Sequence, residues 1–311
     1  MPEFETVLDV RGLKQYFTSG FGRTKTVVKA VNGIDFSIKR GQTFGLVGES
    51  GCGKTTTGRT IIRLYKPTDG EVYFNGSLIS DKLSRADKLK VTQGIQMVFQ
   101  DPISSLNPRM TVKEIIGEGL IINKLVKNNA ELTKRVVDII RIVGLQEDHL
   151  TRYPHEFSGG QRQRIGIARV LISNPSLIIA DEPISALDVS IQAQVLNLLN
   201  NLKKELGLTI LFIAHDLSVV KYFSDYVAVM YNGKIVETGR PALLYEKPTH
   251  PYTKALLSAI PIPDPLYEKG RSYVVYDPSV HDYTREQPEM HDLGEGHFVY
   301  LSKSELAKYA V

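Results

Sequence analysis

Two features of the sequence predict an α/β fold. Residues 177–180 and 210–214 are short, wholly apolar runs, which suit strands buried on both faces of a parallel sheet. Residues 191–206, between them, are amphipathic with helical spacing. A strand, a helix and a strand in succession are typical of an α/β core. The composition, 42% hydrophobic and 23% charged over 311 residues, is that of an ordinary globular protein.

The N-terminal part predicts a β-rich subdomain. Residues that favour strands are grouped with turn residues between them, and Asn32-Gly33 is interpreted as one such turn. The sequence Asn75-Gly76 predicts a hairpin turn, and residues 18–25 a hairpin loop. The predicted strands are residues 7–10, 27–31, 34–38, 43–47 and 71–74.

The rest of the chain is predicted as a helical insertion and a C-terminal extension. Apolar residues recur at helical spacing over residues 111–145, so an inserted helical subdomain is placed at about 103–165, within a first domain of residues 1–240. Prolines crowd residues 241–265, which predicts a break in regular structure. The small extension, residues 241–311, should end in a hairpin and a helix capped by Ser302 and Glu305.

Composition narrows the classes of function. Cys52 is the sole cysteine, so the chain forms no intrachain disulfide and no iron–sulfur cluster held by four of its own cysteines. The formal net charge of +4 gives little support for a nucleic-acid partner, and none is predicted. The longest apolar run, residues 226–231, is far shorter than the roughly 20 residues of a membrane-spanning helix. The first residues lack the apolar stretch of a secretory signal, so we expect a cytosolic protein.

A glycine-rich segment predicts a phosphate site. Residues 48–55 fit the pattern G-x-x-x-x-G-K-[ST], and they lie between an apolar strand and a predicted helix, where that loop works. Backbone N–H groups would wrap the phosphates at a helix N-terminus, Lys54 would reach the β- and γ-phosphates, and the Thr55 hydroxyl would ligate Mg²⁺. Cys52 is interpreted as a small spacer. The predicted contacts of this segment with a nucleotide are Gly48, Glu49, Ser50, Gly51, Cys52, Gly53, Lys54, Thr55 and Thr56.

Two further motifs accompany this loop. The apolar run 177–180 ends in Asp181 and Glu182, which favours a Mg²⁺-holding aspartate and a glutamate that activates the attacking water. The alternative is an acidic cap between a strand and a loop. The turn Ser158, Gly159, Gly160 and Gln161, followed by a helix, offers another anion site, although Ser158 alone also suits a helix N-cap.

With these motifs the chain resembles the ATP-binding-cassette (ABC) transporter ATPases, which would make it a P-loop NTPase, over roughly residues 5–240. Six markers occur in the family's order, and Phe157 stands where that family usually has Leu. The markers are residues 48–55, Gln100, residues 158–161, Asp181-Glu182, residues 185–188 and His215.

The resemblance implies roles for further residues. Gln100 would ligate Mg²⁺ and sense the γ-phosphate, and His215 would contact the γ-phosphate. The catalytic residues would be Glu182, His215 and Lys54. Adenine would stack on Phe17 or, as the alternative, on Tyr16. The signature turn 158–161 would serve the ATP of a partner subunit. The loop of dimer contacts would consist of Ser185, Ala186, Leu187 and Asp188.

Residues 99–110 and 250–263 look like the oligopeptide/dipeptide importer ATPases, and the second stretch is similar to their F-type subunit. That resemblance implies MgATP hydrolysis driving peptide uptake from the cytoplasmic face of the membrane. The implied partners are a second, D-type ATPase subunit, two membrane permease subunits and an extracellular solute-binding protein. An ATP-dependent homodimer of this chain is the alternative to the pair of different ATPase subunits. Oligosaccharide import by the same machinery is the alternative. A soluble ABC ATPase and a switch-type P-loop NTPase or kinase are more distant ones.

Overall fold

Two compact units, interleaved along the sequence, make up the fold. The computed structural model describes residues 5–20, 26–101, 104–260 and 274–309. The first unit comprises Met1–Asp9, Ser37–Gly41 and Val72–Leu211, and the second comprises Val10–Phe36, Gln42–Glu71 and Phe212–Val311. Among the described residues, no helix combines the length and the apolar character that crossing a membrane requires.

Strands and helices alternate along much of the chain. The strands are β1 (Thr6–Ser19), β2 (Thr26–Lys39), β3 (Thr43–Val47), β4 (Asp69–Phe74), β5 (Ser77–Leu78), β6 (Ile95–Val98), β7 (Leu177–Asp181), β8 (Ile210–Ala214), β9 (Tyr226–Tyr231), β10 (Lys234–Gly239), β11 (Glu289–Asp292) and β12 (Phe298–Leu301). The helices are α1 (Lys54–Ile61), α2 (Arg85–Gly94), α3 (Val112–Ile122), α4 (Asn129–Ile142), α5 (Gly159–Leu171), α6 (Val189–Leu206), α7 (Leu217–Phe223), α8 (Pro241–Glu246), α9 (Pro251–Ser258) and α10 (Lys303–Tyr309). Short 3-10 helices span Glu147–Thr151, Pro154–Glu156 and Pro278–Val280.

Buried parallel strands form the core, as the sequence predicted. Every residue of β3, β7 and β8 is buried. In the first unit β6 and β7 pair in parallel, with Val98 opposite Ala180. In the second unit β3 pairs in parallel with β9, and Leu46 lies opposite Ala228. The α/β fold class is confirmed by this arrangement together with the intervening helices.

The second unit extends its sheet with antiparallel strands. Strand β10 pairs with β9 on one side and with β12 on the other, and β11 and β12 form an antiparallel pair. The order in this unit is therefore β11-β12-β10-β9-β3. The hairpin predicted in the C-terminal extension is confirmed by β11 and β12. The cap of α10 is confirmed as well, because Ser302 and Glu305 exchange two hydrogen bonds from backbone N–H groups to side chains, of 3.0 and 3.4 Å.

The prediction of separate strands around Asn32-Gly33 was wrong. Residues 26–39 form the single strand β2, which in the second unit lies next to β1. Gly33 takes a φ of 78°, but the chain does not reverse there. The Asn32 side chain is held instead from the neighbouring strand, because its Oδ1 accepts a hydrogen bond of 2.6 Å from the Tyr16 hydroxyl. The hairpin turn at Asn75-Gly76, between β4 and β5, is confirmed, and both residues have the positive φ that it requires.

The prolines after residue 240 do not abolish regular structure, contrary to the prediction. Pro241 and Pro251 begin helices α8 and α9. The first position of a helix needs no backbone N–H, and the fixed φ of proline suits it. The prolines at 261, 263 and 265 lie outside the described residues, as do residues 21–25 of the predicted hairpin loop.

Helices α3, α4 and α5 fall in or beside the segment predicted as a helical subdomain. Helix α3 begins with a reciprocal cap, in which Thr111 and Glu114 each bind the other's backbone N–H. Helix α4 buries Leu132, Val136 and Ile140 along one face. The boundaries 103–165, 1–240 and 241–311 stay predictions.

Candidate nucleotide-binding site

The glycine-rich loop follows strand β3 and ends at Lys54, where α1 begins. Gly48 and Gly53 have φ values of 150° and 113°. A Cβ atom at Gly48 would collide with the carbonyl oxygen of Met230, and one at Gly53 with that of Ala30. Glycine is therefore required at both positions by backbone conformation and by the closeness of neighbouring strands.

The Lys54 side chain lies folded over this loop and is 4% exposed. Its Nζ donates hydrogen bonds of 2.8 Å to the carbonyl oxygens of Gly48 and Glu49. A buried ammonium is costly unless it is hydrogen-bonded, and these carbonyls meet that need. The loop thus places a positive charge and a helix N-terminus side by side, which favours an anion.

The remaining residues of the loop fit its predicted role. Ser50 and Gly51 are exposed at the tip, and Thr55 and Thr56 are half-buried in the first turn of α1. Cys52 is buried, and burial raises the pKa of its thiol, so the group is neutral at physiological pH. This agrees with the interpretation of Cys52 as a spacer, because a neutral buried thiol is a poor nucleophile.

In the first unit, β7 carries the predicted acidic pair at its carboxyl end. Asp181 is fully buried, whereas Glu182 is half-buried and takes a φ of 45°, unusual for a residue with a side chain. The Gln100 side chain donates a hydrogen bond of 3.0 Å from Nε2 to Oε2 of Glu182. The parallel register of β6 and β7 brings these residues together, since both follow paired strand ends.

The turn at residues 158–161 is a helix cap in this structure. Ser158 Oγ accepts a hydrogen bond of 3.3 Å from the Gln161 N–H, and Gln161 Oε1 accepts one of 3.0 Å from the Ser158 N–H. Ser158 and Gly159 are exposed, whereas Phe157 is 4% exposed and packs edge-on against His149. The apolar anchor at position 157 is thus present.

The signature turn packs against the loop at residues 185–188 of the same chain. A Cβ atom at Gly159 would lie 3.3 Å from a methyl carbon of Leu187. The Ser185 hydroxyl donates to the carbonyl oxygen of Glu182 at 3.1 Å, and the Gln192 amide donates to that of Leu187 at 3.0 Å. Ala186 and Asp188 are exposed, and Asp188 precedes α6.

His215 is exposed directly after β8.

The two candidates for stacking on adenine differ in the contacts and exposure of their side chains. Tyr16 is tied by its hydroxyl to Asn32, whereas Phe17 is 37% exposed with its ring edge-on to Tyr65. The open ring of Phe17 favours it over Tyr16 as a stacking surface.

The predicted metal ligands are the Thr55 hydroxyl, the Gln100 amide oxygen and the Asp181 carboxylate. All offer oxygen, the ligand that Mg²⁺ prefers, so the donor set fits this ion. Across the described ranges, no group of three or more His, Cys, Asp or Glu side chains is placed to hold a metal. In the C-terminal extension, His281 and His297 instead contact Glu305 and Glu237.

Sequence reasoning missed one residue beside the phosphate loop. The hydroxyl oxygen of Tyr252, on α9, accepts a hydrogen bond of 3.0 Å from the backbone N–H of Glu49. The sequence indicated only that Tyr252 lies within residues 250–263, one of the two stretches that carry the resemblance to importer ATPases.

Comparison with known proteins shows the family. The chain is 57% identical to the oligopeptide transport ATP-binding protein OppF of Bacillus subtilis, over 98% of this chain and 99% of that protein. The chain belongs to the ABC transporter ATPases. The family model described as ABC transporter matches residues 31–185 of this ABC ATPase, and the model described as oligopeptide/dipeptide transporter, C-terminal region, matches residues 236–285. The oligopeptide transport ATP-binding protein AmiF of Streptococcus pneumoniae is 54% identical over 98% of each chain.

Solved structures agree with this assignment. A dimeric post-hydrolysis state of the ATP-binding cassette MJ0796, bound to ADP and Pi, aligns with a TM-score of 0.66 and 30% identity, covering 75% of this chain and 98% of that one. The cbiO1 protein of Clostridium perfringens, part of the ABC transporter complex cbiONQ, also gives 0.66 and 30% identity, over 78% of this ABC ATPase and 92% of that chain. The P-loop NTPase core is thus confirmed, and the chain is an ATPase whose hydrolysis is coupled to transport.

Proposed function

We propose that this ABC ATPase hydrolyses MgATP to drive the uptake of oligopeptides or dipeptides through membrane permease subunits. The observation that carries the proposal is the match of residues 236–285 to the C-terminal region of oligopeptide/dipeptide transporters. Relatives named for oligopeptide transport also align with nearly the whole chain.

Hydrolysis proceeds by direct attack of water on the γ-phosphate, without a covalent enzyme intermediate. Lys54 binds the β- and γ-phosphates, and Glu182 orients the water and accepts its proton. Thr55, Gln100 and Asp181 would hold Mg²⁺, which neutralises phosphate charge when bound. The hydrogen bond from Gln100 supports the role of Glu182, because it fixes the direction of the carboxylate.

Further groups complete the nucleotide contacts. Gly48, Glu49, Ser50, Gly51, Cys52, Gly53 and Thr56 form the rest of the phosphate loop. His215 contacts the γ-phosphate, and adenine stacks on Phe17. The exposure of the Phe17 ring supports this choice over Tyr16.

The active unit is a dimer with composite sites. Ser158, Gly159, Gly160 and Gln161 bind the ATP held by the partner subunit, and residues 185–188 contact that subunit. The exposure of Ser158, Gly159 and Asp188 supports this role, because these residues are open to another chain. The partner is a related D-type ATPase, and ATP-dependent homodimers form when hydrolysis is blocked.

The complex works at the membrane with this chain peripheral on the cytoplasmic face. Two permease subunits bind near residues 103–110, next to Gln100, and an extracellular binding protein supplies the solute. The carbonyl oxygen of Ser105 accepts a hydrogen bond of 2.6 Å from Arg169 of α5. That bond supports a link between this loop and the signature helix.

Reconstitution tests the proposal. The chain, its partner ATPase and the permeases are placed in liposomes with the binding protein, and the uptake of labelled peptides and labelled oligosaccharides is compared. We expect ATP-dependent uptake of peptides, absent when Glu182→Gln replaces the wild-type chain. Uptake of oligosaccharides without peptides would overturn the peptide assignment, and cleaved ATP without any uptake would overturn the transport role.

A further inference from the structure

A tyrosine in the C-terminal extension contacts the phosphate loop. Tyr252 lies on α9 and is 1% exposed. Its hydroxyl oxygen is 3.0 Å from the Glu49 nitrogen, whose N–H donates the hydrogen bond. The Tyr252 ring is fixed by two other aromatic rings, since its centroid lies 4.5 Å from that of Tyr231 and 5.3 Å from that of Tyr276.

Glu49 is therefore held at both ends of its backbone. Tyr252 accepts its N–H, and Lys54 donates to its carbonyl oxygen at 2.8 Å. The Cys52 N–H also donates to this carbonyl at 3.3 Å, which closes the turn of the loop. Of these contacts, the one from Tyr252 reaches the loop from outside, so it can hold Glu49 while Lys54 engages a phosphate.

The turn that carries Tyr252 is itself fixed to strand β10. Glu237 is fully buried, and its two carboxylate oxygens accept hydrogen bonds of 2.7 Å from the Thr249 N–H and 3.0 Å from the His250 N–H. His250 Nδ1 then accepts the Tyr252 N–H at 3.1 Å and caps α9. The position of the Tyr252 backbone is thus set by a strand of the sheet.

The C-terminal hairpin supports the same carboxylate. His297, just before β12, places Nε2 2.8 Å from Oε1 of Glu237. A continuous path of hydrogen bonds thus runs from His297 through Glu237, the turn at 249–250 and Tyr252 to Glu49.

We propose that Tyr252 is a positioning residue for ATP, which holds the phosphate loop in its binding conformation through the backbone N–H of Glu49. A loop ordered in advance loses less conformational entropy when the ligand binds, which raises affinity. The inference rests on the proposed role of the loop in binding phosphates.

The chemistry of the phenol suits this role. Burial raises the pKa of Tyr252, so the group is a neutral hydroxyl at physiological pH. A neutral oxygen accepts the hydrogen bond without placing negative charge beside a loop whose ligand is anionic.

The test is Tyr252→Phe in the full-length protein, which removes the hydroxyl and keeps the ring. Tyr276→Phe is the matched control, because it removes the hydroxyl from another ring of the same cluster, one that packs edge-on against Tyr231 and Tyr252. The dissociation constant for MgATP is measured by fluorescent nucleotide displacement, KM and kcat by phosphate release with the partner ATPase present, and Tm by calorimetry. For Tyr252→Phe we expect Kd and KM to rise about three- to tenfold, which matches the net contribution of one hydrogen bond, with kcat unchanged. Tyr276→Phe should leave Kd and KM at their wild-type values.

Glu49→Pro removes the donor of the same hydrogen bond, so the two variants form a double-mutant cycle, and Tm shows which of them fold. The double variant should bind MgATP no more weakly than Glu49→Pro alone. A Kd for Tyr252→Phe equal to that of the wild type, additive losses in the double variant, or an equal loss in Tyr276→Phe would each overturn the positioning role. A wild-type chain that does not bind MgATP would instead overturn the proposed role of the loop, and this inference with it.

Discussion

The side-chain amide of Gln100 donates a hydrogen bond of 3.0 Å to the carboxylate of Glu182. Glu182 holds this position in a left-handed backbone conformation, with a φ of 45°. Such a conformation costs about 1 to 3 kcal/mol and tends to occur at functional sites. The pair joins the ends of two parallel strands, β6 and β7, so the direction of the carboxylate is set by the sheet.

Replacing Glu182 with Gln should separate binding from hydrolysis. The contacts of the phosphate loop remain, so the Kd for MgATP should stay near the wild-type value. The group that accepts the proton of water is lost, so turnover should fall at least about 100-fold. Phosphate release and nucleotide binding measured on the same preparation check this, with the exposed Glu205→Gln as the control. Turnover within about threefold of the wild type would contradict the role of Glu182.

Two inactive variants should restore activity when mixed. Lys54→Ala removes the ammonium of the phosphate loop, and Ser158→Arg blocks the signature turn, so each should be inactive alone. In a mixed dimer one composite site keeps an intact Lys54 and an intact Ser158, and ATPase activity should return in part. The measurement is phosphate release from the mixture after mixed dimers are shown by differential tags. Proven mixed dimers without activity would indicate that each chain works alone.

The stability of the protein should depend on pH through His250. Burial is the main cause that lowers the pKa of its imidazole from 6.5 to about 3, with the nearby His281 adding to it. The unfolded chain takes up a proton below pH 6.5 and the folded protein does not, so the free energy of unfolding should decrease as pH falls from 6.5 towards 3. Above pH 6.5 this contribution is fully present and constant.

The variant His250→Asn isolates this effect, since Asn caps helices well and does not titrate. The groups that face His250 are the His281 and Tyr276 rings and the Glu237 carboxylate, and they are retained in the variant. Melting temperatures measured between about pH 5 and pH 8 should fall less steeply with acidification in His250→Asn than in the wild type. Equal slopes would show that another group controls the dependence.

Removal of the Glu237 carboxylate should destabilise the protein strongly. Glu237→Ala leaves two backbone N–H groups and His297 without their buried acceptor, so we expect a loss of about 2 to 4 kcal/mol in the free energy of unfolding. The exposed Glu246→Ala nearby is the control and should change stability by less than about 0.5 kcal/mol. Urea titrations of both variants give the measurement, and a similar stability of the two would refute this account of Glu237.

Local patterns predicted the parts of the fold that depend on neighbouring residues. The buried strands followed from apolar runs, and the phosphate loop followed from the spacing of Gly48, Gly53 and Lys54, because glycine conformation and a helix N-terminus act within a few residues. The turn at Asn75-Gly76 was predicted for the same reason. Asn32-Gly33 has the same two residue types, but it lies inside strand β2, where pairing with β1 overrides the preference for a turn.

Such local patterns could not predict contacts between residues that are far apart in the sequence. Tyr252 and Glu49 are 203 positions apart, and no periodicity connects them. The hydrogen bond between Gln100 and Glu182 depends on the pairing of β6 with β7, which the sequence did not specify. The choice between Phe17 and Tyr16 likewise depended on exposure, since both are aromatic residues of one strand.

The hairpin of β11 and β12 has a consequence for self-association. A sheet edge exposes unpaired backbone groups that invite a strand from another molecule. In the second unit the last strand is β11, only four residues long and carrying Glu289 and Asp292, which discourages such pairing. Without the hairpin the edge would pass to β10, which bears Ile235 and Val236. The extension therefore also protects the sheet from aggregation.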